Sequence, residues 1–359
     1  MAAEPPAPRR LAILGTGSAL PGPAISTPEL LAAMAPHMSA VSRALAARIA
    51  NRLAIKSRHL ARSLTQPVEA VRAEDSAPRL AARAVSAALH QCLRSADQVH
   101  FLLGHTATPH TLLPSNTAWT ADELRYNGPY AELRQACTGF AAATRIADGL
   151  LATGHSTVAI VGSETGSVYF DPRIVADEPE QLVNLVQMGD GAGAAILGPH
   201  LDGSSSYLER PFFGSQGLDR RPGLSLTEGG SGSPLVTRGG LPHFNHGHRD
   251  IKENGLDLLR SSLAAAEAAG VDRSTVDWFL PHQANGRMAE LCQEYLQLPR
   301  ERVICEADAV GNLGSAAIWV ALDRLRRSKR LAIGDRVLVL GAEATKYLYG
   351  GFLYVHGRT

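Results

Sequence analysis

The chain has 359 residues, 45% of them apolar and 19% charged, with 35 Lys and Arg against 34 Asp and Glu for a formal net charge of +1. That composition fills a packed core and excludes a disordered chain, and the length suggests two domains or one two-lobed domain. A balanced charge argues against a general nucleic-acid binder, which needs a basic excess to neutralise phosphates.

In chain order, residues 1–9 are Ala/Pro-rich and expected to be loose. No long apolar run follows Arg9 and Arg10, so neither a signal peptide nor a membrane span is expected, and a cytoplasmic protein is. Leu11–Leu14 reads as a buried strand that ends in a turn at Gly15-Thr16-Gly17-Ser18. Thr27 to Leu53 has a helical pattern, with Ser26 or Thr27 as N-cap and Pro28 at the first position. Residues 78–96 form an Ala-rich amphipathic helix, Val99–Leu103 a strand ending at Gly104, and 115–126 a helix. Pro129–Ala136, Cys137 and Thr138–Thr153 read as strand, sharp turn and helix. Val158–Val161 is a buried strand. Gly189-Asp190-Gly191-Ala192-Gly193 is a turn feeding the strand Ala194–Leu197. Residues 214–249, rich in Gly, Ser, Arg and His, form the longest irregular stretch and the expected link or surface insertion between halves. Then come helix 250–268, strand Trp278–Leu280, helices 285–297 and 315–328, and strands Val337–Leu340 and Tyr347–Val355. Short buried strands alternating with helices predict an α/β fold with mostly parallel sheets covered on both faces.

Of the four cysteines, Cys92, Cys137, Cys292 and Cys305, no two have Cys-x-x-Cys spacing, so no zinc ribbon or redox motif is expected and a reducing compartment is. Cys137 sits where a helix begins, and the unpaired N–H groups and partial positive charge there favour a thiolate. The alternative is a small buried apolar residue. His282 follows a buried strand in Pro281-His282-Gln283-Ala284-Asn285, where α/β sheets place ligands; a structural histidine would look the same. Asn312, between Gly311 and Leu313-Gly314, reads as a residue of close backbone approach or as an ordinary turn. Together, Cys, His and Asn can run acyl transfer through thiolate attack and carbonyl polarisation.

These residues lie in segments whose order resembles the β-ketoacyl-acyl-carrier-protein synthase III family of the thiolase superfamily. The segments are Ile13–Ser18, Ile55–His59, Ala136-Cys137-Thr138-Gly139-Phe140, Val161–Glu164, Gly189–Ala194, Pro281–Asn285 and Gly311-Asn312. The resemblance implies a thiolase fold, with two similar α-β-α-β-α layered halves related by a pseudo-dyad: residues 1–200 carrying the cysteine, and 201–359 carrying His282 and Asn312. It implies a homodimer, no cofactor beyond the phosphopantetheine arm of coenzyme A or acyl-carrier protein, no metal, and neither nucleic acid nor membrane as partner. It also implies that Cys137 takes an acyl group from a thioester, and that His282 and Asn312 polarise a malonyl- or β-ketoacyl-thioester for Claisen condensation in fatty-acid or polyketide-type biosynthesis. Acyl transfer to a hydroxyl or amine, or a non-catalytic partner subunit, are the alternatives.

The chain also departs from the family. Ala344-Thr345-Lys346-Tyr347 stands where a glycine-rich run supplies an oxyanion donor, and Leu313-Gly314 follows Asn312 where Thr-Ser is usual. The family's adenine-stacking tryptophan is replaced in this chain, near Arg48. Arg52 matches a family arginine, so Arg52, Asn285 and Lys346 are the expected substrate- or coenzyme-A-binding residues, with Lys346 otherwise a solvated loop residue. These departures favour a carrier-protein donor and point to a specialised-metabolism relative, of the kind that joins two longer chains, forms pyrones, cyclohexanediones or quinolones, or acylates a hydroxyl or amine. Glu164 reads as structural rather than as a base, and Arg220 and Arg221 as a solvated pair or a phosphate contact. His243, His246 and His248 are clustered, but no carboxylate or cysteine is placed with them to complete a metal site.

Overall fold

The structure, a computed structural model, describes residues 9–64, 72–201, 203, 205–236 and 240–358, without the side chains of residues 246 and 248–253. The first eight residues of the Ala/Pro-rich start lie outside the described residues. Strands with no polar face must be covered on both sides, and Val158–Glu164 is buried at every position. The central sheet has nine strands: β1 (Arg10–Ala19), β2 (Phe101–His105), β3 (Tyr130–Leu133), β4 (Val158–Glu164), β5 (Gly191–Pro199), β6 (Tyr207–Ser215), β7 (Trp278–Pro281), β8 (Arg336–Glu343) and β9 (Leu348–Val355). Their order is β7-β8-β9-β6-β1-β5-β4-β2-β3.

The order repeats outward from the centre. From β1 the sheet runs antiparallel to β5, antiparallel to β4, then parallel to β2 and β3. From β6 it runs antiparallel to β9, antiparallel to β8, then parallel to β7. The two wings join where Arg10, Leu11 and Ala12 face Glu209, Leu208 and Tyr207.

Four helices cover the wings: α1 (Ala77–Gln91), α2 (Gly139–Ala152), α3 (His248–Ala268) and α4 (Ala317–Arg327). Phe140 of α2 and Trp319 of α4 sit in one core that takes Leu103, Ile160 and Leu197 from one wing and Leu280, Val339 and Phe352 from the other. Outside the first wing, α1 packs Leu80, Val85 and Leu89 on Leu102, Val161 and Ile196. Outside the second, α3 packs Leu258, Leu259 and Leu263 on Leu338 and Leu353. The layers therefore run α-β-α-β-α.

Five expectations are corrected. The sheet is not mostly parallel: five of its eight strand pairings are antiparallel and three parallel, because β1, β5, β6 and β9 form an antiparallel middle. The first predicted glycine turn is strand, and so are the last three residues of the second, Gly191–Gly193. β1 passes through Gly15–Ser18 with an irregular register between Ile13 and Gly15, and β5 includes Gly191 and Gly193. A Cβ on Gly15 or Gly17 would stand 2.1 Å from Ala88 O or 2.3 Å from Ala84 O, so these glycines admit α1 against the strand rather than bend it. The single helix expected over 27–53 is two, Thr27–Met34 and Ala40–Leu53, separated at Pro36, each with its own serine N-cap, Ser26 and Ser39. Strand β6 is absent from the reading of the sequence because Glu209, Arg210 and Pro211 break its apolar pattern. The 214–249 stretch holds a two-stranded ribbon, Leu224–Leu226 against Phe244–His246.

Candidate functional site

Strand β3 ends at Leu133 and α2 begins at Gly139, so Cys137 rides the intervening turn. The turn is held from below. A Cβ on Gly139 would stand 2.4 Å from His105 Nδ1, and the Phe140 ring meets Trp319 edge-on with centroids 6.1 Å apart. Glu343, at the end of β8, accepts hydrogen bonds from Thr138 N at 2.9 Å and Thr138 Oγ1 at 2.7 Å. Cys137 itself is half-buried. Its thiol does not have the lowered pKa that a helix start alone would give. Burial, then the charges of Glu343 and Glu164, push it well above the ordinary thiol range, outweighing the helix dipole.

His282 follows β7. Its backbone N donates to Leu340 O at 2.7 Å, which continues the parallel pairing of β7 with β8 one residue past the strand. His282 is 8% exposed, and among the described residues its Nδ1 has no hydrogen-bond partner. Burial pulls its pKa from 6.5 down to about 4, so the imidazole is neutral near neutral pH.

Asn312 is placed by its glycines. Gly311 has φ +76°, and the chain then returns so that Asn312 N donates to Gln187 O at 2.9 Å and Gly189 N donates to Asn312 O at 3.1 Å. Asn312 Oδ1 accepts from Gly314 N at 3.0 Å, which leaves the Nδ2 group as the donor for the cavity.

Cys137, His282 and Asn312 line one cavity of about 690 Å³. Its wall is largely apolar and includes Leu53, Val183, Met188, Phe244, Leu259 and Leu291. That size and lining suit a small-molecule or acyl-chain site with a few placed polar groups. Arg52 and Asn285 also line it; Arg52 is exposed, and Asn285 Oδ1 caps Arg287 N at 2.8 Å. Lys346 does not line it. It is exposed and donates through Nζ to Arg220 O, so the structure places it as the surface residue of the two readings above. Arg220 stacks on Tyr347, 5.2 Å from the ring centroid, and reaches Asn254.

Reading the sequence missed three contributors. Thr108 and Arg287 line the cavity, and Glu343 grips the cysteine's turn. Arg287 lies five residues past His282 and was legible by position; Glu343 was not, because its partner is 205 residues away. Glu164 also lines the cavity, and its carboxylate accepts from Thr108 Oγ1, from Ser315 N at 3.0 Å and from Ser315 Oγ at 2.7 Å. It thus ties the Asn312 loop to β4, and burial raises its pKa. The side chains of His246 and His248 lie outside the described residues. Among those described, no group of three His, Cys, Asp or Glu could hold a metal ion, and no helix is long and apolar enough to cross a membrane.

Comparison with known proteins places the chain among relatives. The family model for 3-oxoacyl-[acyl-carrier-protein] synthase III matches residues 131–216, and the model for its C-terminal part matches residues 266–352. The 3-oxopimeloyl-[acyl-carrier-protein] synthase of Rhodothermus marinus is 31% identical over 94% of this chain and 91% of its own length. A β-ketoacyl-[acyl-carrier-protein] synthase III of Bordetella petrii is 30% identical over 92% of this chain and 93% of its own. Among solved structures, a tetronic acid condensing enzyme is similar with a TM-score of 0.82 and 27% identity, over 96% of this chain and 99% of that one. The priming β-ketosynthase of a polyketide biosynthetic pathway is similar with a TM-score of 0.76 and 25% identity over all of both chains.

The layered fold and these likenesses define an acyltransferase of the condensing type, built on the thiolase fold. Within that class, the chain belongs to the 3-oxoacyl-[acyl-carrier-protein] synthase III family.

Proposed function

We propose that Cys137 is the acyl-accepting nucleophile and that His282 and Asn312 activate the second substrate. The observation that supports this is the meeting of the three side chains on one apolar cavity, although their segments are far apart in the chain. In the first half-reaction Cys137 Sγ bonds to the carbonyl carbon of a coenzyme A or carrier-protein thioester. The carbon–sulfur bond to pantetheine breaks, and the thiol proton leaves with the pantetheine sulfur. In the second, a malonyl thioester binds and its C–CO₂ bond breaks, leaving the electron pair as an enolate. Neutral His282 donates one N–H and Asn312 donates Nδ2–H to the enolate oxygen; such donors are most effective in a water-poor site. The enolate carbon then attacks the acyl-Cys137 carbonyl and releases the sulfur. Holding both groups on one cavity makes the carbon–carbon step effectively intramolecular.

The apolar wall fits an acyl chain longer than acetyl, in keeping with a specialised-metabolism relative, and the exposed Arg52 and Arg287 at the cavity fit the phosphates of a pantetheine carrier. A cytoplasmic homodimer using coenzyme A or an acyl-carrier protein, with no resident cofactor, completes the reading. The test is intact-protein mass after incubation with a panel of acyl thioesters. An acyl adduct on the parent and none on Cys137→Ala is the expected result, and the best-loading thioester identifies the donor. Equal adducts on both proteins would refute Cys137. Retention of an intact malonyl group in the product would replace condensation by transfer to oxygen or nitrogen.

A further inference from the structure

One buried charge next to the nucleophile has no part in that scheme. Glu343 closes β8 and is 2% exposed. It does not line the cavity, although its neighbours Ala342 and Ala344 do. Its Oε2 accepts from both N and Oγ1 of Thr138, the residue after Cys137, and its Oε1 accepts from Thr345 Oγ1. Among the described residues no lysine or arginine pairs with it. A buried carboxylate without a cation acts strongly on its neighbours, because little water screens it.

The groups facing Cys137 come from four strands. Glu343 comes from β8 and Glu164 from the end of β4. His282 follows β7 on the same cavity, and His105 of β2 lies under Gly139. Burial brings His105 down to about 3 and His282 to about 4, so both are neutral near neutral pH. The sulfur therefore has two carboxylates acting on it, while the arginines of the same cavity, Arg52, Arg260 and Arg287, are exposed to solvent.

We propose that Glu343 is a positioning residue for Cys137: its carboxylate locks the turn that carries the sulfur, and its charge biases the resting sulfur toward the thiol. The consequence is a nucleophile that is sluggish toward adventitious electrophiles. It is spent on thioesters, whose departing sulfur takes up the proton as the new carbon–sulfur bond forms. This inference rests on the acyl-transfer reading, and its test is independent of any acyl donor.

The experiment measures the rate of Cys137 alkylation by iodoacetamide as a function of pH, read by peptide mass, with Cys137→Ala as the blank. In Glu343→Gln the amide oxygen still accepts from Thr138 while the charge is gone. The alkylation midpoint should move down by about one pH unit, so that the variant reacts about tenfold faster at a fixed pH below the midpoint. Thr138→Val, which keeps the charge, should leave the midpoint in place. If Glu343→Gln does not fold, the paired change Glu343→Met with Thr138→Val removes the charge and its hydroxyl partner together and should give the same downward shift. A folded Glu343→Gln with an unmoved midpoint overturns the proposal, even if thioesters still load Cys137. A shifted midpoint in a chain that no thioester loads supports it and refutes the acyl-transfer reading instead.

Discussion

In a His282→Ala variant, Cys137 should still be acylated while condensation fails. The main-chain bond from His282 N to Leu340 O at 2.7 Å does not depend on the side chain, so the loop stays in place. The ring's Nδ1 has no partner among the described residues, so truncation orphans nothing there. It widens an existing cavity rather than opening a closed void. On the proposed scheme, what is lost is one of two donors to the enolate oxygen, in a site where His282 is only 8% exposed. One such donor is worth about a hundredfold to a thousandfold in rate, or about 2.7–4 kcal/mol. Single-turnover assays read the two steps apart: burst mass for loading, and carbon dioxide or product for condensation. Loading should stay within about threefold of the parent while condensation falls by that larger factor. A loading rate that falls as far as condensation would refute the assignment and make His282 the base for Cys137. The pH profile adds a second check. With His282 held at about 4, condensation should show no loss at the ordinary histidine midpoint of 6.5.

Further predictions concern stability. His282 and His105 resist protonation down to about 4 and about 3, whereas unfolded histidines take up protons near 6.5. The unfolded state therefore binds more protons over that window, and stability falls as pH drops through it, by roughly 1.4 kcal/mol per unit for each histidine. Urea midpoints against pH should show that slope, and His105→Gln, which keeps an acceptor for Trp319 Nε1, should shed about half of it. A slope unchanged by His105→Gln would refute the account. At Gly314, φ is +50° and a Cβ would stand 2.5 Å from Glu164 Oε2. Gly314→Ala should destabilise the fold by about 1–3 kcal/mol. It should also slow condensation more than loading, because Gly314 N holds Asn312 Oδ1. Wild-type urea stability in that variant would contradict the strain.

Most strands were legible because Val158–Val161 and Val337–Leu340 are apolar without interruption, which only a doubly covered strand requires. Cys137 and His282 were legible because each follows a strand end. The glycine segments misled: Gly15, Gly17 and Gly193 mark where helices α1 and α4 press on the sheet, and that closeness is a tertiary fact. β6 was illegible for a related reason. Its Glu209 is buried between Arg10 and Arg336, so a charge that looks like a strand breaker is paired across the sheet. Lys346 could not be placed from the sequence because its distance from the cavity depends on the loop holding Arg220.

The repeated strand order gives the chemistry a mirror. Cys137 precedes α2, which leads into β4; Asn312 precedes α4, which leads into β8. β4 and β8 hold the same place in their wings, each between an antiparallel and a parallel neighbour. Thr108, just past β2, likewise answers His282, just past β7, and all four line the same cavity. Cys137 and Asn312 thus occupy equivalent stations on two halves of one plan, as do the Thr108 hydroxyl and the His282 imidazole. On the proposed scheme the two halves divide the labour: one would hold the acyl group and the other would present the carbon that attacks it, on a scaffold that is itself symmetric in plan.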